Sequence, residues 1–184
     1  MRHLLFILFI TVLLCIPSTV MAEEDSGYIH DGPGLYETTL YAGQTIDAGV
    51  VRVWNSPKKM MVQVDPEDDW KIAEVQIYVG YDPVPPTKKG NPIPGKFPYK
   101  NEYQSPASIH MLTLDLKDDL GFSWGSQYWD LRTPALAVHA DLVKVDTNGK
   151  VIGEEGAWAY GPYEFEGSQW GWWSTYELAH PMRG

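Results

Sequence analysis

The chain has 184 residues, a formal net charge of −10 and one cysteine. The carboxylate surplus argues against nucleic acid and anionic membranes as partners, since their phosphates select Lys and Arg. A lone Cys15 closes no internal disulfide, so the fold must rest on packing, with or without a bound ion.

Arg2 and His3 precede an apolar run, LLFILFITVLL (4–14), and Val20-Met21-Ala22 ends on the small residue that signal peptidase selects. The run is too short to span a bilayer, and charged EEDSG (23–27) follows at once. These features predict a secretory signal peptide over 1–22 and a single secreted domain, extracellular or periplasmic, over 23–184. A lipoprotein signal at Cys15 would want a small residue where Leu14 stands. Cleavage also removes Cys15. No later stretch is apolar for about 18 residues, so no membrane span is expected.

Period-two alternation then dominates. VVRVW (50–54) and MMVQV (60–64) each put two valines on one face. AEVQIYVG (73–80) predicts Ala73, Val75, Ile77 and Val79 inward, with Glu74, Gln76 and Tyr78 outward. HMLTLDL (110–116) offers Leu112, Leu114 and Leu116, and LAVHADLVKV (136–145) offers Leu136, Val138, Ala140 and Leu142. WWSTYEL (172–178) closes the series. Seventeen glycines and fourteen prolines break the chain into short pieces. The pattern predicts an all-β fold: one antiparallel β-sandwich, Ig-like or jelly-roll-like, of seven to nine strands. Asn148-Gly149 predicts a type I′ hairpin, and DPEDDW (65–70) another tight connection.

Between the strands lies DPVPPTKKGNPIPGKFPYK (82–100), with six of the fourteen prolines. It is too long for an ordinary connection, and Ile93, Phe97, Tyr99 and Tyr103 give it apolar anchors that disordered segments lack. An ordered flap is expected, its Lys88, Lys89, Lys96 and Lys100 forming a basic strip. The strip could meet a protein partner or hold the flap to its own acidic body.

Several constellations could carry chemistry. GFSWG (121–125) matches the G-x-S-x-G nucleophile elbow, with Asp130 and His139 following, but Pro134 and the absence of an amphipathic helix argue for a plain glycine-rich loop. His139 and Asp141 leave a strand by the same face, as a site pair or as its solvent side. Among the acidic turns, Asp65, Glu67 and Asp69 are candidate ligands for a structural calcium. DTNGKVIGEE (146–155) lacks the ligands of an EF-hand. Eight Trp and eleven Tyr are the strongest compositional signal. Exposed aromatic rings stack on the apolar faces of sugars, while neighbouring polar groups take the hydroxyls. The candidate ligand contacts are Trp158, Trp172, Trp173, His139, Asp141, Glu155, Phe97 and Tyr99.

LYAGQTIDAG (40–49), IYVG (77–80), GNPIPGKFPYK (90–100), VHA (138–140), EEGAWAYG (154–161) and FEGSQW (165–170) resemble a family of exported β-sandwich domains. The resemblance implies an extracellular module over most of the mature chain. It brings no established activity and no catalytic residues. The expected function is a secreted, non-enzymatic module that binds carbohydrate or a cell-envelope surface. A calcium-stabilised structural or adhesion module is the alternative. Behind them stands a hydrolase using Ser123, His139 and Asp130, or Glu155 with Asp141.

Overall fold

The structure, a computed structural model, describes residues 34–82, 85–125 and 132–179. The expected signal peptide and Asp130 lie outside these residues. The strands are β1 (Tyr36–Ala42), β2 (Ile46–Asn55), β3 (Lys59–Pro66), β4 (Trp70–Gly80), β5 (Thr87–Lys88), β6 (Asn91–Pro92), β7 (Tyr99–Ala107), β8 (His110–Asp115), β9 (Ala135–Val145), β10 (Val151–Ala159), β11 (Tyr163–Glu164) and β12 (Trp172–Thr175). Eight have six residues or more, and the four short ones hold the flap and the C-terminal segment. The fold is all-β and antiparallel, as the alternation predicts. Among the described residues no helix is long and apolar enough to cross a membrane.

Strand order divides the large sheet into two layers, β7-β4-β9-β10 and β1-β2-β3-β8. They meet where β10 pairs β1 through only three residue pairs, Leu40 with Ala159, Tyr41 with Trp158 and Ala42 with Ala157. Those pairs put Leu40, Ala42, Ala157 and Ala159 inside. The inward faces of both layers share one core, in which Val51, Val53, Val62, Val64, Val75, Ile77, Val138 and Ala140 are wholly removed from water. At roughly 1.5–3 kcal/mol per buried aliphatic side chain, this core dominates the favourable side of folding.

Two local expectations change, and a third, the tight DPEDDW connection, holds. In β4 the extra residue of a bulge is Ala73: Ile72 pairs Leu142 and Glu74 pairs the adjacent Asp141. Ile72, not Ala73, therefore joins the core. The DPEDDW turn is tight, with Asp68 at φ 54°, yet it makes no hairpin. β3 pairs β2 and β8 while β4 pairs β7 and β9, so this turn passes from one layer to the other. At Asn148-Gly149 only the glycine has positive φ (78°). Asp146 Oδ1 accepts from the backbone N–H of Asn148 and Lys150, each at 2.9 Å, and the Asp146 carbonyl accepts from Gly149 N–H. That is a three-residue loop ending on a left-handed glycine, which matches strand twist as well as type I′ does. The type I′ signature appears instead in the flap, where Lys89 (φ 52°) and Gly90 (φ 80°) join β5 to β6.

Candidate ligand-binding site

The outer face of β4, β9 and β10 carries a second, smaller core. Alternation sends Tyr78, Ala135, Ala137 and Trp158 outward, where they would meet water unless something covered them. Two segments do. Phe97 of the flap packs 5.9 Å from the Tyr78 ring and 6.2 Å from that of Trp158, and it is 1% exposed. Phe165 of the C-terminal segment packs 5.4 Å from Trp158 on another side. The segments are also joined to each other. Gly167 N–H donates to the Gly90 carbonyl (3.1 Å), and Asn91 Oδ1 accepts from Gln169 N–H (2.8 Å).

The flap is therefore held by an aromatic anchor and a backbone clip. Among the described residues Lys88, Lys89 and Lys96 reach no carboxylate, so charge does not pin it to the acidic body. Lys100 Nζ donates to the Gly95 carbonyl at 2.9 Å.

His139 lies beside Trp158, ring centres 4.8 Å apart. Its Nδ1 and the Oε1 of buried Gln76 are 2.6 Å apart, so Nδ1 carries the proton and donates. Burial holds this imidazole below its ordinary pKa, against the opposing pull of Asp141 and Glu74. Asp141 shares that face, is exposed and pairs with Glu74 across the strands. A bonded neutral imidazole beside a packed tryptophan serves positioning and packing. Glu155 pairs with Leu142 and so leaves β10 on the face opposite Trp158, with its carboxylate near Gly43. It does not reach His139, although it lines one groove of about 390 Å³ with Asp141 and Glu154.

The other candidates divide by burial. Phe97 and Trp158 are core residues and offer no free ring face. Tyr99 packs, half-buried, against the main core. Asp65 accepts from Arg52 Nη1 at 3.0 Å, Asp69 pairs with Lys144 at 3.6 Å, and Glu67 is exposed between them. Arg52 and Lys144 thus each engage one of the three candidate calcium ligands. Among the described residues no three His, Cys, Asp or Glu side chains come together to hold a metal ion. Ser123 is exposed in a loop whose neighbours Phe122 and Trp124 pack edge to face at 4.8 Å. No hydrogen bond joins it to His139.

The remaining candidates are half-buried tryptophans. Trp172 and Trp173 leave β12 on opposite sides. Trp173 stacks on Tyr163 at 4.3 Å and 24°. Trp172 meets Trp170, Tyr160 and Tyr41 at 5.6, 5.5 and 5.8 Å. Beside Trp172 and Trp170 opens a groove of about 340 Å³, which Gln44, Glu164, Ser168 and Gln169 also line. Gly171, between Trp170 and Trp172 in sequence, lets the chain run close over Trp158, because a Cβ there would stand 2.8 Å from that ring. Gln44 reaches the rim from the β1–β2 turn, at φ 78°. Of the groove's lining only Trp172 stood among the sequence candidates, whereas Trp170, Gln44, Glu164, Ser168 and Gln169 did not. The Trp-Gly-Trp spacing of 170–172 was the available signal for Trp170, and nothing local marks the four polar residues. No family model, no curated protein and no solved structure matches the chain.

Proposed function

We propose that the protein is a secreted, non-enzymatic binding module that takes carbohydrate of a cell envelope or extracellular surface into the Trp170–Trp172 groove. The observation that carries this reading is the pairing of two half-buried indoles with four hydrogen-bonding side chains along one open cleft. A sugar ring needs both, an apolar platform for its C–H face and donors and acceptors for its hydroxyls. Gln44, Ser168 and Gln169 offer both donors and acceptors, and Glu164 accepts.

A glycan array and retention on insoluble polysaccharides test the reading. Trp172→Ala should weaken binding by about 2 kcal/mol, roughly thirtyfold, as for a central aromatic contact. Trp173→Ala, on the other side of β12, should change it less than threefold. Blank results in both assays would refute carbohydrate binding.

A further inference from the structure

From the groove and the turn bolted to its wall, we infer that the ligand is an acidic polysaccharide, whose carboxylates Lys88 and Lys89 receive while a neighbouring sugar stacks on Trp170 and Trp172. The inference rests on the groove reading above and specifies its ligand.

Gly167, Ser168 and Gln169 form one wall of the groove. That wall is fastened to the β5–β6 turn by the Gly167-to-Gly90 hydrogen bond and by Asn91 Oδ1, which accepts from Gln169 N–H and Ser168 Oγ–H (3.5 Å). The approach is close enough that a Cβ on Gly90 would stand 2.8 Å from Gly167 N. Lys88 and Lys89 are thus within two residues of the wall, and both are exposed. Lys89 sits at φ 52°, a left-handed turn position that Asn, Asp and Gly occupy with less strain. Side chains retained in strained backbone conformations concentrate at functional sites.

The charge pattern agrees. The chain has 24 acidic and 14 basic residues, so an unpaired lysine has abundant carboxylates to choose from. Arg52 and Lys144 have found theirs, whereas among the described residues Lys88 and Lys89, like Lys71, Lys96 and Lys150, have none, although Glu166 adjoins the turn. Two exposed lysines on the turn fastened to the wall of a sugar-sized groove match a polymer that carries uronate groups along its chain. The proximity of Glu164 and Glu166 makes the match selective, since it repels a carboxylate placed anywhere but on the lysine side.

The test uses polygalacturonate, alginate and hyaluronate, each beside its carboxyl-reduced neutral form, with binding followed by tryptophan fluorescence and sedimentation. At least one acidic polymer should bind tenfold or more tightly than its neutral form, with the advantage shrinking as salt rises. Lys88→Gln/Lys89→Gln should cut acidic binding about three- to tenfold, as for two exposed charge pairs, and leave neutral binding unchanged. Equal binding of acidic and neutral forms, or an indifferent double variant, would overturn this inference and leave the groove reading standing. If none of the three polymers binds in either form, this inference falls, and the glycan array alone decides whether the groove reading falls with it.

Discussion

Phe97→Ala tests whether the flap is an integral layer of the fold. The ring is 1% exposed and touches Tyr78 and Trp158, so its truncation carries the full cost of an emptied aromatic site, about 3–5 kcal/mol in a closed core. This smaller core is covered by two loop segments rather than by a strand layer, so local opening sets a ceiling on the loss. The loss cannot exceed the free energy that shuts the flap; beyond that point the flap opens and the two-layer core stays folded. The remaining fastenings are the Gly90–Gly167 and Asn91–Gln169 hydrogen bonds and buried Pro85 and Pro92. We therefore expect the low end, about 3 kcal/mol, which for a domain of this size lowers Tm by roughly 6–12 °C. Urea titration with hydrogen exchange resolved by peptide is the assay. Residues 85–100 and 163–171 should lose protection while β2 and β3 keep theirs. A loss below about 1 kcal/mol with unchanged exchange over 85–100 would refute the anchoring role. Equal loss of protection in β2 and β3 would refute the separation of the two cores.

Gly167→Ala should act on the same clip from the other side, since a Cβ there would run into Asn91; overpacking of this kind costs about 1–3 kcal/mol, and a urea midpoint equal to that of the native chain would contradict the contact. Burial holds both His139 and His110 below the ordinary imidazole value, and His110 Nδ1 is 2.7 Å from the Tyr103 hydroxyl. The unfolded chain therefore protonates first, so stability should fall as pH drops from the ordinary imidazole range to the lowered folded values, and level off below them. His139→Gln should flatten part of that slope, and an unchanged slope in denaturation midpoints between pH 7.5 and 5.5 would count against it. Calcium at millimolar concentration should leave Tm in place, because Arg52 and Lys144 already engage Asp65 and Asp69; a rise reversed by chelator would revive the calcium-stabilised module.

The alternation of β9 and most of β4 was legible because side-chain direction on a strand is a local property. Leu136, Val138, Ala140 and Leu142 point inward as their spacing requires, and His139 and Asp141 share the outer face. The apolar content of the flap likewise announced an ordered segment, although not where Phe97 would dock. Turn chemistry was legible only in part: Asn148-Gly149 marks a hairpin, but strand twist and the Asp146 carboxylate selected a three-residue loop, while an unlikely Lys89-Gly90 took the type I′ turn. Ala73 could not be recognised as a bulge, since only its two partner strands leave it unpaired.

The candidate site shows the same division more sharply. Composition marked the aromatic excess and placed Trp172 among the contacts, but it could not separate Trp172 from buried Trp158 or from Trp173 on Tyr163. The groove joins Gln44 to residues 164–172, more than a hundred positions away, and its wall is set by Asn91 of the flap. By itself the sequence determined β2, β3, β4, β8, β9 and β12, most of their inward faces and the existence of an ordered flap, through period-two geometry and proline stiffness, but not β1, β7 or β10. The tertiary structure alone decided which aromatics are buried and which line a groove. That choice depends on strand order and on two loops meeting over one sheet face, and both follow from total burial across the chain, which no local spacing records.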